Sequence, residues 1–85
     1  MAPDPRAQAI IESLLQGVLR KRSIALQEDT PLVSSGLLDS FALVEVLHEV
    51  EKVTGRRIPA GRVGPGDFET VARMLAMAER VGKPR

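Results

Sequence analysis

Eighty-five residues make one domain near the lower limit of unaided folding, where only about 60–65% of the unfolded surface is buried and a deep catalytic cleft is not expected. Hydrophobic residues make up 44% of the chain, with two Phe and no Trp or Tyr, so the core is aliphatic and suits packed helices better than an aromatic-rich sheet. With no Cys, disulfides and thiolate metal sites are excluded.

No apolar run approaches the ~20 residues of a membrane span, and Met1-Ala2-Pro3-Asp4 lacks a basic region followed by an apolar core, so a cytoplasmic protein is expected. The net charge is +1, but its distribution is uneven. Residues 39–52 hold four acids and one lysine, leaving −3, while the other 11 basic and 7 acidic residues leave +4. Acid is thus concentrated on one stretch, as expected if that stretch meets basic partner surfaces.

The expectation is an all-α fold with residues 1–85 as a single domain. Pro3-Asp4-Pro5 reads as a helix start, with Asp4 as N-cap and Pro5 at the first helical position. Apolar residues at Ile10, Ile11, Leu14, Leu15, Val18 and Leu19 follow at helical spacing and predict a helix over about 5–21. It closes on Arg20-Lys21-Arg22, cations that suit a helix C-terminus. Three charges without interleaved aromatics read as a solvated helix end and not as a nucleic-acid patch.

Residues 23–39 form a long connection, with Asp29-Thr30-Pro31 and Ser34-Ser35-Gly36 as turn signals. Loops this long are usually functional or pinned by their own apolar residues. Ile24, Leu26, Leu32, Val33 and Leu37 or Leu38 are the candidate pins.

The loop ends at Gly36-Leu37-Leu38-Asp39-Ser40-Phe41. Asp39 or Ser40 can cap the helix that follows, because a short side-chain oxygen accepts from a free first-turn N–H. Residues 40–54 are predicted helical, with Gly55 as the stop. At 100° per residue, Leu43, Val44, Val46, Leu47, Val50 and Val53 fall on an inner arc, and Glu45, His48, Glu49 and Lys52 face outward with Phe41 among them. Phe41 is either a partner anchor or a cover for Leu37 or Leu38. His48 is the sole histidine and, with no triad partner in view, reads as a surface helix residue.

Asp39-Ser40-Phe41, then Val44-Glu45-Val46-Leu47, then Ile58-Pro59 resemble the acyl and peptidyl carrier protein family. The resemblance covers the chain from its first predicted helix to its last. It implies a small four-helix bundle with a long first loop and a short, irregular third helix. It also implies a 4′-phosphopantetheine arm from coenzyme A on Ser40, beside Asp39, carrying an acyl or aminoacyl group as a thioester. The implied partners are a phosphopantetheinyl transferase, an acyl- or amino-acid-activating ligase or acyltransferase, and a downstream synthase or transfer enzyme. Phe41, Glu45, His48, Glu49 and Lys52 would meet them. Gly-Leu-Leu-Asp-Ser is similar to small stand-alone carriers of the D-alanyl kind and tilts the cargo toward aminoacyl groups. Ala42 and Lys52 fall where the family often has acids, and Thr54 where it commonly has a bulky apolar residue.

Beyond the second helix, Ala60 to Gly66 holds three glycines and a proline, so at most one short turn is expected over about 60–65. The glycine pattern lacks the preceding strand and the Lys-Ser/Thr ending of a nucleotide loop. Phe68 is the expected anchor of this segment. A last helix is predicted over about 69–81, capped by Asp67 or Thr70, with Val71, Met74, Leu75, Ala78 and Val81 on one face and Met74 and Met77 as packing residues. Gly82 ends it, and Lys83-Pro84-Arg85 are expected to be mobile.

No catalytic constellation, metal-ligand set or nucleophile–base pair can be assembled, so the expectation is a monomeric carrier that serves enzymes and is not one. The alternative is an unmodified helical interaction module in which Ser40 is only a cap. A nucleic-acid binder is disfavoured because the most distinctive helix is acidic.

Overall fold

Three helical stretches of apolar spacing set the architecture. The computed structural model describes residues 5–18 and 25–84. Helix α1 spans Pro5–Ser13 and continues as a π-helical turn over Leu14–Val18. An unbroken α-helix to residue 21 is therefore not what forms within the described residues. Gly17 lies in that turn, and a residue without a side chain lowers the cost of leaving α geometry. The wider turn keeps Leu14 buried and leaves Leu15 and Val18 only partly covered. The Asp4 cap, Leu19, the basic Arg20-Lys21-Arg22 end and the Ile24 pin lie outside the described residues.

Helix α2 spans Ser40–Thr54 and stops at Gly55, which is left-handed at φ 67° and donates its N–H to the Glu51 carbonyl at 2.9 Å. Thr54, half-buried, turns its hydroxyl back to the Val50 carbonyl at 2.7 Å. Two short 3-10 turns follow, Ala60–Arg62 and Pro65–Phe68, where a single turn over 60–65 is the expectation. The second exists because Pro65 fits its first position and Asp67 accepts from the Gly64 N–H at 2.9 Å. Helix α3 spans Val71–Val81, capped by Thr70, whose hydroxyl accepts from Arg73 N at 3.1 Å. Asp67 caps the 3-10 turn instead, and Arg80 of α3 donates to its other oxygen at 3.0 Å.

Beside the helices a small two-stranded sheet forms, and the C-terminal Lys83-Pro84 stretch is part of it. Strand β1, Arg56–Arg57, pairs antiparallel with β2, Lys83–Pro84, in the register Arg56 with Pro84 and Arg57 with Lys83. The pairing arises because Gly82 leaves α3 in extended backbone and packs against the Arg56 side chain. Arg85 lies outside the described residues.

The core is aliphatic apart from Phe68. Helix α1 contributes Ala7, Ile10 and Ile11, α2 contributes Val46, Leu47 and Val50, and α3 contributes Val71, Met74, Leu75, Met77 and Ala78. From the connections, Leu32, Leu38 and Ile58 are buried with them, while Leu26, Val33 and Leu37 are partly covered. At about 25 cal/mol per Å² of apolar area, each fully buried Val, Leu, Ile, Met or Phe among them stabilises the fold by roughly 1.5–3 kcal/mol before chain entropy is counted. The long loop is therefore fastened to the same core that holds the helices, and its last buried residue stands two positions before Ser40.

Candidate functional site

The site begins with a choice between two possible caps, and Asp39 takes the role. It sits in extended backbone at φ −96°, ψ 179°, and its Oδ1 accepts from Ala42 N at 2.8 Å. Its carbonyl receives Leu43 N at 3.2 Å. Ser40 thereby becomes the first helical residue, exposed, with a hydroxyl that makes no hydrogen bond to the described residues. A serine spent on capping would hold its oxygen against the helix; this one is left outward. Beyond the Asp39 cap the first turn of α2 contains no acid, and the N–H groups that the cap leaves free favour a negative group beside Ser40.

The helical positions i+3, i+4 and i+7 from Ser40 are Leu43, Val44 and Leu47, all on the same side of α2 as Ser40. Those three residues form one wall of an apolar groove of about 170 Å³, whose other wall is Ala60, Val63, Gly64, Pro65 and Phe68. The groove changes the expected inner arc. Val44, placed there by helical angle, is 58% exposed. The 3-10 turns opposite it are short and glycine-rich, and they stop short of covering the start of α2. This groove is the feature that sequence reading missed.

A second stripe runs along the outer side of α2 through Phe41, Glu45, His48 and Lys52, spaced 4, 3 and 4 residues apart. Phe41 is 87% exposed and does not fold over Leu37 or Leu38. Glu45, His48 and Lys52 are exposed as well, and Lys52 pairs with the half-buried Glu49 at 3.7 Å. Exposed i,i+3 pairs of this kind contribute a few tenths of a kcal/mol. No cluster of three or more His, Cys, Asp or Glu residues able to hold a metal occurs among the described residues.

Two carboxylates tie down segments that flank the site. Asp67 is held below its ordinary 3.8, first by the Gly64 N–H and then by the Arg80 guanidinium. Glu69 is held below its ordinary 4.5, chiefly by the Ser34 N–H and further by those of Val33 and Leu32. The first fixes one wall of the groove and the second fixes the long loop.

A small helical scaffold that offers one unengaged, exposed hydroxyl at a helix N-terminus, with an apolar groove on the same side, defines a platform for a covalently attached group. The chain matches the family described as phosphopantetheine attachment site over residues 9–78, and it belongs to that family. It is a phosphopantetheine-carrying carrier protein. No curated protein and no solved structure matches the chain. The residues present fit the group: attachment requires an accessible hydroxyl, and the N-terminal dipole of α2 suits the phosphodiester. No helix of the described residues is long and apolar enough to cross a membrane.

Proposed function

We propose that Ser40 is the attachment residue and that the chain is an acyl or aminoacyl carrier, substrate and cofactor-bearing partner of biosynthetic enzymes. When bound, the phosphopantetheine supplies a terminal thiol on which a carboxylic acid is held as a thioester. Ser40 supplies the oxygen that is phosphorylated, Asp39 keeps that oxygen out of the cap, and the start of α2 steadies the phosphate charge. The supporting observation is that Asp39, and not Ser40, accepts the Ala42 N–H.

The groove lined by Leu43, Val44 and Leu47 offers apolar cargo partial shelter from water on the side from which Ser40 projects. The two 3-10 turns between α2 and α3 stand for the short, irregular third helix, and on that reading the molecule is a four-helix carrier bundle. The outer stripe of Phe41, Glu45, His48 and Lys52, with Glu49 beside it, is the docking face for the transferase, the loading ligase or acyltransferase, and the downstream synthase or transfer enzyme. An apolar anchor rimmed by charge gives a small interface register and a fast approach without high affinity.

The test is incubation with coenzyme A, magnesium and a broad-specificity phosphopantetheinyl transferase, read by intact mass beside Ser40→Ala. One added phosphopantetheine on the native chain and none on the folded variant is the expected result. Equal gain on both would overturn the assignment. Preserved partner binding by Ser40→Asp, with no gain on the native chain, would favour the unmodified interaction module instead.

A further inference from the structure

Glutamate 69 stands between Phe68 and the α3 cap Thr70, and its carboxylate is not used on the helix it precedes. One oxygen, Oε1, instead accepts from three consecutive backbone amides across the molecule, those of Leu32, Val33 and Ser34, each at 3.0 Å. Its backbone carbonyl also accepts from Leu32 N at 2.7 Å. Successive N–H groups converging on one point form an anion-binding concavity, and hydrogen bonds to an ionised acceptor are roughly twice as strong as neutral ones. The concavity here is filled by the chain's own side chain.

The tie is relayed toward Ser40. Leu38 N donates to the Leu32 carbonyl at 2.9 Å, closing the loop at its neck, and both leucine side chains are buried. Inside the neck, Gly36 N donates to the Val33 carbonyl at 3.1 Å, and the chain leaves that turn through Gly36 in the left-handed region at φ 84°, which glycine adopts without steric cost. Residue 32 is thus bonded to Glu69 on one side and to residue 38 on the other, and only Asp39 separates Leu38 from Ser40. Farther back, the Glu28 carbonyl accepts from Ala72 N at 3.0 Å, so the loop also satisfies a first-turn donor of α3.

We propose that Glu69 is a positioning residue for Ser40: by holding the amides of residues 32–34, it sets the orientation in which the Asp39-Ser40 junction is presented to a modifying enzyme. The inference rests on Ser40 being the attachment residue. Freed of the carboxylate, the loop samples orientations that do not dock, so the apparent affinity of the transferase falls in proportion to the docking-competent fraction, while the chemistry after docking is unchanged.

The test is steady-state modification kinetics with coenzyme A, magnesium and a phosphopantetheinyl transferase. Native chain, Glu69→Ala, Glu69→Gln and, as a control, Glu79→Gln are compared well below their unfolding temperatures. Glu79 pairs with Arg6 at 3.2 Å on an exposed surface and lies outside this relay. Glu69→Ala is expected to raise KM about 3–10-fold with kcat within about twofold, as for a docking-competent fraction reduced by that factor. Glu69→Gln, which keeps an acceptor oxygen, recovers part of the loss, and Glu79→Gln leaves KM unchanged. A Glu69→Ala chain with native KM overturns the proposal.

Should the native chain itself take no phosphopantetheine, the Ser40 assignment fails. The positioning relay is then decided by amide resonances, with displaced Leu38, Asp39 and Ser40 signals in Glu69→Ala supporting it and unmoved ones overturning it.

Discussion

Two side chains separated by one peptide bond divide the labour at the site, and the division is physical. Aspartate is acceptor-only when ionised and caps with charge; were Ser40 itself the cap, its oxygen would be engaged with the helix and not free for the proposed attachment. Asp39→Ala should therefore cost about 1 kcal/mol, the typical loss of an N-cap, measured by urea unfolding. The two bracing carboxylates add a dependence on acidity. Because Asp67 and Glu69 lie below their ordinary 3.8 and 4.5 in the folded chain, the unfolded chain binds more protons at low pH. Their contribution is thus complete above those ordinary values and disappears as pH falls through the folded ones. The urea midpoint should hold from about pH 7 to pH 5 and decline below, with a shallower decline in an Asp67→Asn, Glu69→Gln double variant. The Asp39-Ser40 junction could be read in the sequence because capping is local. The reach of Glu69 could not: its partners lie 35 to 37 positions away, and a glutamate before Thr70 looks like a solvated first-turn acid.

Among the elements, helices were legible and their interruptions were not. The apolar spacing of α2 and α3 marks their buried sides, since Val46, Leu47, Val50, Val71, Met74 and Leu75 all lie in the core. Helical angle alone put Val44 inside, and it failed because burial needs a neighbour: the 3-10 turns opposite are too short to reach it. The β1–β2 pair escaped notice because two residues per strand carry no alternation to read. Its dependence on Gly82 is sharp, since a Cβ there would collide with the Ala78 carbonyl and press on the Arg56 side chain. Backbone cannot yield as a flexible side chain would. Gly82→Ala should destabilise by about 1–3 kcal/mol, the usual range for overpacking, seen as a lowered Tm.

For the molecule as a whole, one aliphatic core serves three helices and the loop that delivers Ser40. Met74 of α3 is fully buried in it, and Met74→Ala should cost about 2–5 kcal/mol. A domain of this size has only about 5–10 kcal/mol to lose, so urea unfolding should show a large fraction of its stability gone. Charge follows the same division, with −3 on residues 39–52 against +4 elsewhere, a field that suits the docking face proposed on α2.

The central claim is that the arm is carried on Ser40, and it is tested most directly by modifying the native chain, digesting it and locating the phosphopantetheine by tandem mass spectrometry. The account predicts the group on the peptide containing Asp39-Ser40-Phe41, on the Ser40 oxygen alone. Its discovery on Ser13, Ser23, Ser34 or Ser35 would contradict it.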